Sequence, residues 1–161
     1  MMLPDAVQMI PPIGVAGVMV AVIYSDLRQM RIPNVLSLLL LGLFVASQAI
    51  GGIAPDLWLR IAFSLGVFTA GFVAFVFRAI GGGDVKVLAV LALFVPLAHL
   101  PAVLLIFSGT LIAGTAIVFA GRRFLPGAGS SWAFLRSEKM PMGLPIGAAA
   151  IISLSMFGLQ G

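Results

Sequence analysis

Six apolar stretches, each near the twenty or so residues a helix needs to cross a bilayer, leave this chain little choice of fold. They run from about 7 to 24, 35 to 50, 57 to 80, 85 to 97, 102 to 120 and 144 to 159. Hydrophobic residues fill 61% of the 161 positions and charged residues only 9%, against about 25% charged in an ordinary soluble domain. A soluble domain is thereby excluded. The pattern predicts one all-α integral membrane domain over residues 1–161, with about six transmembrane helices and the lipid bilayer as its surroundings. Helices suit that setting because each satisfies its own backbone polar groups.

The net charge of +4 does not point to nucleic acid, because the basic residues are scattered at the ends of apolar runs rather than gathered on a polar face. They mark topology instead. With six crossings, one side receives Arg28, Arg31, Arg78, Lys86, Arg122, Arg123, Arg136 and Lys139, and the other only Arg60. The positive-inside rule makes the first side cytoplasmic and sends both termini outward. Met1-Met2-Leu3-Pro4-Asp5 lacks the basic segment of a signal peptide, so the first run is expected to stay as a span. The absence of cysteine excludes disulfides, thiol catalysis and cysteine-bound zinc.

Length arithmetic draws two acids into the edge of the membrane. A helix from Pro12 to Tyr24 covers about 20 Å, short of the roughly 30 Å hydrocarbon core. The first helix is therefore expected to run on through Asp26 before Pro33-Asn34 stops it and starts the next. The fourth stretch is short as well, and a full crossing has to begin near Gly83 or Asp84. An aspartate costs roughly 2.5–3.5 kcal/mol at the centre of a membrane helix and less toward the edge. Asp26 and Asp84 fall on the cytoplasmic side; Asp5 and Asp56 fall on the other. In Gly81-Gly82-Gly83-Asp84-Val85-Lys86 the three glycines let backbone approach closely and allow an irregular turn beside the second acid.

Two carboxylates held close cannot both ionise cheaply, so they share a proton, one serving as base and the other as acid. Such a pair activates water for attack on a peptide carbonyl and protonates the leaving amine. Each aspartate also has a plainer reading. Asp26 suits a solvated helix end neutralised by Arg28 or Arg31, and Asp84 suits the N-cap of the fourth helix at the positive end of its dipole. A cap and a catalyst are compatible. No metal is expected, since two aspartates without a nearby His or Cys offer too few ligands, and an acid pair needs no cofactor.

Gly81-Gly82-Gly83-Asp84 matches the GxGD motif of intramembrane aspartyl proteases, and with Val85-Lys86 it resembles the GGGDVK form of type IV prepilin peptidases. Tyr24-Ser25-Asp26-Leu27-Arg28, followed by Arg31-Ile32-Pro33-Asn34, is similar to that family's first catalytic aspartate with its downstream I-P-N element. Lys139-Met140-Pro141-Met142-Gly143 is similar to the family's K-x-P-x-G segment. The three occur in the family's order over about residues 20 to 150, and they most resemble the short peptidases of tight-adherence (Flp) pilus systems. The resemblance implies an aspartic endopeptidase of the bacterial inner membrane, working at the cytoplasmic face. Its substrate would be a prepilin or pseudopilin, cleaved after a glycine just before the hydrophobic helix. The resemblance makes Asp26 and Asp84 the catalytic pair and Gly81, Gly82 and Gly83 the residues that shape the site. Lys86, Lys139, Pro141 and Gly143 are candidates for meeting substrate or tuning the pair. Longer relatives add a cytoplasmic cysteine-bearing segment and also methylate the new pilin N-terminus; this chain has neither the cysteines nor room for the segment between its first two spans, so methylation is not expected. In presenilin-like enzymes a tyrosine directly precedes the first aspartate, whereas Tyr24 stands two residues before Asp26.

Between the last two apolar runs, Trp132, Phe134 and Leu135 predict a segment lying against the headgroups, with Arg122 and Arg123 as candidates for holding anionic lipid or the substrate leader. His99 is expected at the surface. Gly109, Ala113 and Gly114, and Gly143, Gly147 and Ala148, are expected at close helix contacts. Two other functions compete with proteolysis. In a proton-coupled transporter the same aspartates would form a relay, which needs polar residues continuing outward; Ser37, Ser47, Ser64 and Thr69 are isolated. A structural, non-catalytic subunit of a secretion or pilus machine would tolerate Asp84→Asn.

Overall fold

The computed structural model describes residues 10–124, 132–136 and 140–157, and every regular element among them is helical. In chain order these are α1 Ile10–Gln29, α2 Asn34–Gly51, α3 Leu57–Val76, α4 Gly82–Leu93, a 3-10 turn Leu97–His99, α5 Leu100–Phe124, the short α6 Ala133–Arg136 and α7 Gly143–Phe157. Among the described residues, three stretches are long and apolar enough to cross a membrane: Asn34–Gly51, Leu57–Val76 and Leu97–Phe124. Gly143–Phe157 is a shorter apolar helix.

The ends of these helices follow local chemistry. As length required, α1 continues past Asp26. It stops where Met30 takes a left-handed φ of 53° and bonds its N–H to the Asp26 carbonyl at 2.8 Å, an unusual conformation for a residue other than glycine. Ser25 Oγ donates to the Arg31 carbonyl at 2.8 Å, and Pro33 then opens α2 with φ −61°. Pro33 also keeps Ile32 out of the helical region. α3 ends four residues before the expected Ile80, with Arg78 turned to φ 60°. α4 is shorter than expected. It stops at Leu93 rather than Leu97, because Pro96 disfavours a helical Val95. Its 12 residues span about 18 Å.

α1 and α4 carry the two aspartates, and α2 and α7 each pack against both. These two helices therefore set the spacing of the acids. The core cluster includes Val15, Met19 and Val22 of α1, which share one helical face, with Leu40 and Phe44 of α2, Val87 of α4 and Ile146 of α7. Outward-facing Leu38, Leu65, Ile112 and Phe119 leave broad apolar surfaces, the mark of a chain that meets lipid.

At the end away from the acids, buried Arg60 pairs with Asp56 at 2.8 Å. His99 is not a free surface residue as expected: it is half-buried and stacks on Phe157 with ring centroids 4.7 Å apart. The small residues divide. Gly143 and Gly147 sit tightly against α1 and Gly114 against Pro145, whereas Gly109 faces open space and Ala113 is exposed, contrary to expectation.

Candidate active site

The C-terminal end of α1 and the N-terminal ends of α2, α4 and α7 meet at one end of the bundle. Asp26, in the last turns of α1, is 6% exposed. Its Oδ2 accepts the backbone N–H of Gly143 at 2.6 Å, a contact between residues 117 apart in sequence. It is not neutralised by its neighbours in the way the plainer reading supposed, for Arg28 turns instead to the Tyr24 hydroxyl and lies 5.6 Å from the centre of the Tyr24 ring.

Asp84 is the third residue of α4. Its Oδ2 accepts the N–H of Gly81 at 3.2 Å, which is the carboxylate half of a capping box and satisfies one of the free donors at the helix start. Asp84 does cap α4, but from its third position: the N-cap residue expected to be Asp84 is Gly81. Among the described residues its other oxygen, Oδ1, is buried and accepts no hydrogen bond. Such an atom in a folded chain asks for a reason, and a catalytic role is one. Asp84 also lies close enough to Asp26 for the two carboxylates to repel each other.

Each of the three glycines has its own neighbour. A Cβ on Gly81 would stand 2.6 Å from Asp84 Oδ2, one on Gly82 would meet the Phe75 ring at 3.3 Å, and one on Gly83 would meet Ile32 Cβ at 3.0 Å and the Ile32 carbonyl at 3.3 Å. The irregular turn beside Asp84 lies just ahead of the glycines, at residues 77–80 with Arg78 at φ 60°. Gly82 and Gly83 lie inside the first turn of α4 and Gly81 is ordinarily extended, with φ −77° and ψ 144°. What the glycines supply is space rather than unusual dihedrals.

Lys86 Nζ donates to Asn34 Oδ1 at 2.9 Å, tying the start of α4 to the start of α2. Pro141 is fully buried just before α7. Lys139 lies outside the described residues. Trp132 meets Tyr24 edge-on at 6.0 Å, and Arg122 Nε donates to the Phe134 carbonyl at 2.8 Å. The aromatic segment thus folds onto α1 near Asp26 instead of lying only against headgroups. Sequence reasoning missed the roles of Ile32 and Asn34, although both belong to the I-P-N element it singled out.

Among the described residues, no three His, Cys, Asp or Glu side chains gather where they could hold a metal ion. A cavity of about 260 Å³ lies toward the other half of the bundle, lined by Leu88, Leu91, Phe107, Ile146 and Leu154 among others, and it contains none of the candidate residues.

Helices fit for a bilayer and a pair of acids drawn together from distant parts of the chain describe a helical membrane protein with a carboxylate pair at one end. The chain belongs to the type IV leader peptidase family, whose model matches residues 13–119. It is a peptidase, and so a hydrolase. The matched stretch includes Asp26, the I-P-N element and Asp84, and ends before Gly143. No curated protein and no solved structure matches the chain.

Proposed function

We propose that this peptidase is a two-aspartate prepilin peptidase of the bacterial inner membrane, in which Asp26 and Asp84 activate the water that cleaves a leader peptide after a glycine. The observation that carries the reading is that a leader peptidase bundle holds both carboxylates at the same end, each on a glycine N–H and within reach of the other's charge. The ionised member takes a proton from water as its oxygen attacks the scissile carbonyl carbon. The protonated member gives its proton to the carbonyl oxygen, forming a tetrahedral diol. Collapse of the diol breaks the C–N bond. The proton taken from water passes to the departing amine, while the diol returns a proton to the pair. Water is consumed, and no metal or cofactor enters.

The finer features belong to the same proposal. The chain is one domain crossing the membrane about six times, with its termini outside and the acid pair at the cytoplasmic edge, as the distribution of arginine and lysine supports. The substrate is a prepilin or pseudopilin of the Flp type, with a basic leader on the cytoplasmic side. Gly81 leaves room for the Asp84 carboxylate, Gly82 and Gly83 let Phe75 and Ile32 close on the start of α4, Lys86 braces α4 against α2, and Lys139 and Pro141 precede the helix that reaches Asp26. A relay across the bilayer is poorly supported. Ser47 and Thr69 donate to carbonyls of their own helices, and Ser64 donates to the Ala89 carbonyl.

The test is cleavage of a prepilin by the purified chain in lipid. Asp26→Asn and Asp84→Asn should each slow cleavage by a factor on the order of 10²–10⁴ while the protein stays folded. Either variant cleaving at the wild-type rate removes that aspartate from the site.

A further inference from the structure

We infer that Gly143, at the start of the last helix, is a positioning residue for catalysis: its backbone N–H holds one oxygen of Asp26 and so leaves the other to work against Asp84. The inference rests on the proposed two-aspartate reading. It adds a third helix to a site whose family match ends before that helix begins.

Gly143 is the first residue of a 15-residue helix, where the leading N–H groups have no partner within the helix. One of them is met by Asp26 Oδ2 at 2.6 Å, short even for a hydrogen bond to a charged acceptor. The helix start also favours a negative charge there. The contact depends on the missing side chain. A Cβ on Gly143 would come within 2.7 Å of Asp26 Cβ, 2.9 Å of Oδ2 and 3.1 Å of Cγ. One helical turn on, a Cβ on Gly147 would stand 2.5 Å from Ile23 Cγ1 and 3.2 Å from the Met19 carbonyl. Gly143 and Gly147 therefore make the face through which α7 lies directly on α1.

The two acids are held alike. Each gives Oδ2 to a glycine N–H at the start of a helix, Asp26 to Gly143 and Asp84 to Gly81. That leaves the two Oδ1 atoms, of which Asp84 Oδ1 is the buried atom without a partner among the described residues. A carboxylate fixed through one oxygen presents the other in a set direction, and fixed direction is what an acid–base pair needs from its surroundings. If the bond were only a cap for α7, its loss would affect stability and leave turnover unchanged.

Two full-length chains decide between these roles, assayed in lipid on a prepilin that the wild type cleaves. Gly143→Ala forces Asp26 and α7 apart. Replacement of Gly143 by glycolic acid puts an ester oxygen where the N–H stands and adds no atom. In both, kcat is expected to fall tenfold or more with KM within twofold of wild type. A glycolate chain with wild-type kcat overturns the inference, even if Gly143→Ala fails to fold. A raised KM at unchanged kcat overturns it too, by assigning Gly143 to substrate binding. Neither result touches the two-aspartate reading, which stands or falls on Asp26→Asn and Asp84→Asn.

Discussion

At the scale of single residues, the glycine run before Asp84 works as three separate spaces, and the spaces differ in how much they forgive. Gly82 faces the edge of the Phe75 ring at 3.3 Å, which can shift by a few tenths of an ångström. Gly83 faces both the Cβ and the carbonyl of Ile32, and that backbone is held from both sides by the Ser25–Arg31 bond and Pro33. Gly83→Ala should therefore destabilise the protein by about 1–3 kcal/mol, the range for overpacking, and Gly82→Ala by clearly less. Thermal unfolding of both variants in one detergent checks the order. The motif was legible in the sequence, but which neighbour each glycine admits was not, because Ile32 and Phe75 reach Gly83 and Gly82 only after α2 and α3 have packed.

At the scale of elements, the joint between α1 and α7 matters most, since it joins the helix that carries Asp26 to the helix that holds it. Gly147→Ala puts a methyl against Ile23 and the Met19 carbonyl without entering the acid pair. It should cost about 1–3 kcal/mol in stability, and it should lower cleavage as well, because displacing α7 draws the Gly143 N–H away from Asp26. Unfolding and cleavage measured on the same sample check both parts. A stability loss with undiminished cleavage would show that α7 can move without disturbing the acids. The small residues that begin α7 could be read as a packing face from sequence. The same argument failed at Gly109 and Ala113, which face away from the bundle, because small size permits a close contact without requiring one.

At the scale of the whole molecule, the acid end of the bundle is also the end that collects Arg28, Arg31, Lys86 and Arg122, while Asp56, Arg60 and His99 lie at the other. With no native cysteine, single thiols report sidedness without interference. Lys139→Cys should be shielded from a membrane-impermeant thiol reagent in intact cells and labelled only after the membrane is opened. Ala98→Cys, exposed in the middle of the 3-10 turn, should be labelled in intact cells. The reverse pattern would invert the proposed topology and put the acid pair on the wrong side for a cytoplasmic leader. The short α4 belongs to this scale too. At about 18 Å it spans little more than half of the hydrocarbon core, and the turn at Leu97–His99 carries the chain onward into α5.

The sequence by itself determined that the chain is helical and membrane-bound, because long apolar runs in lipid admit few other backbones. It also singled out Asp26 and Asp84, because charge in so apolar a chain is costly and these two acids end apolar runs on the same side. Only the tertiary structure decided what holds Asp26 and what braces the start of α4 beside Asp84. The Gly143–Asp26 bond joins residues 117 apart and the Lys86–Asn34 bond residues 52 apart. Contacts of that range depend on which helices lie side by side and how closely they approach, and local periodicity, propensity and charge carry no information about either.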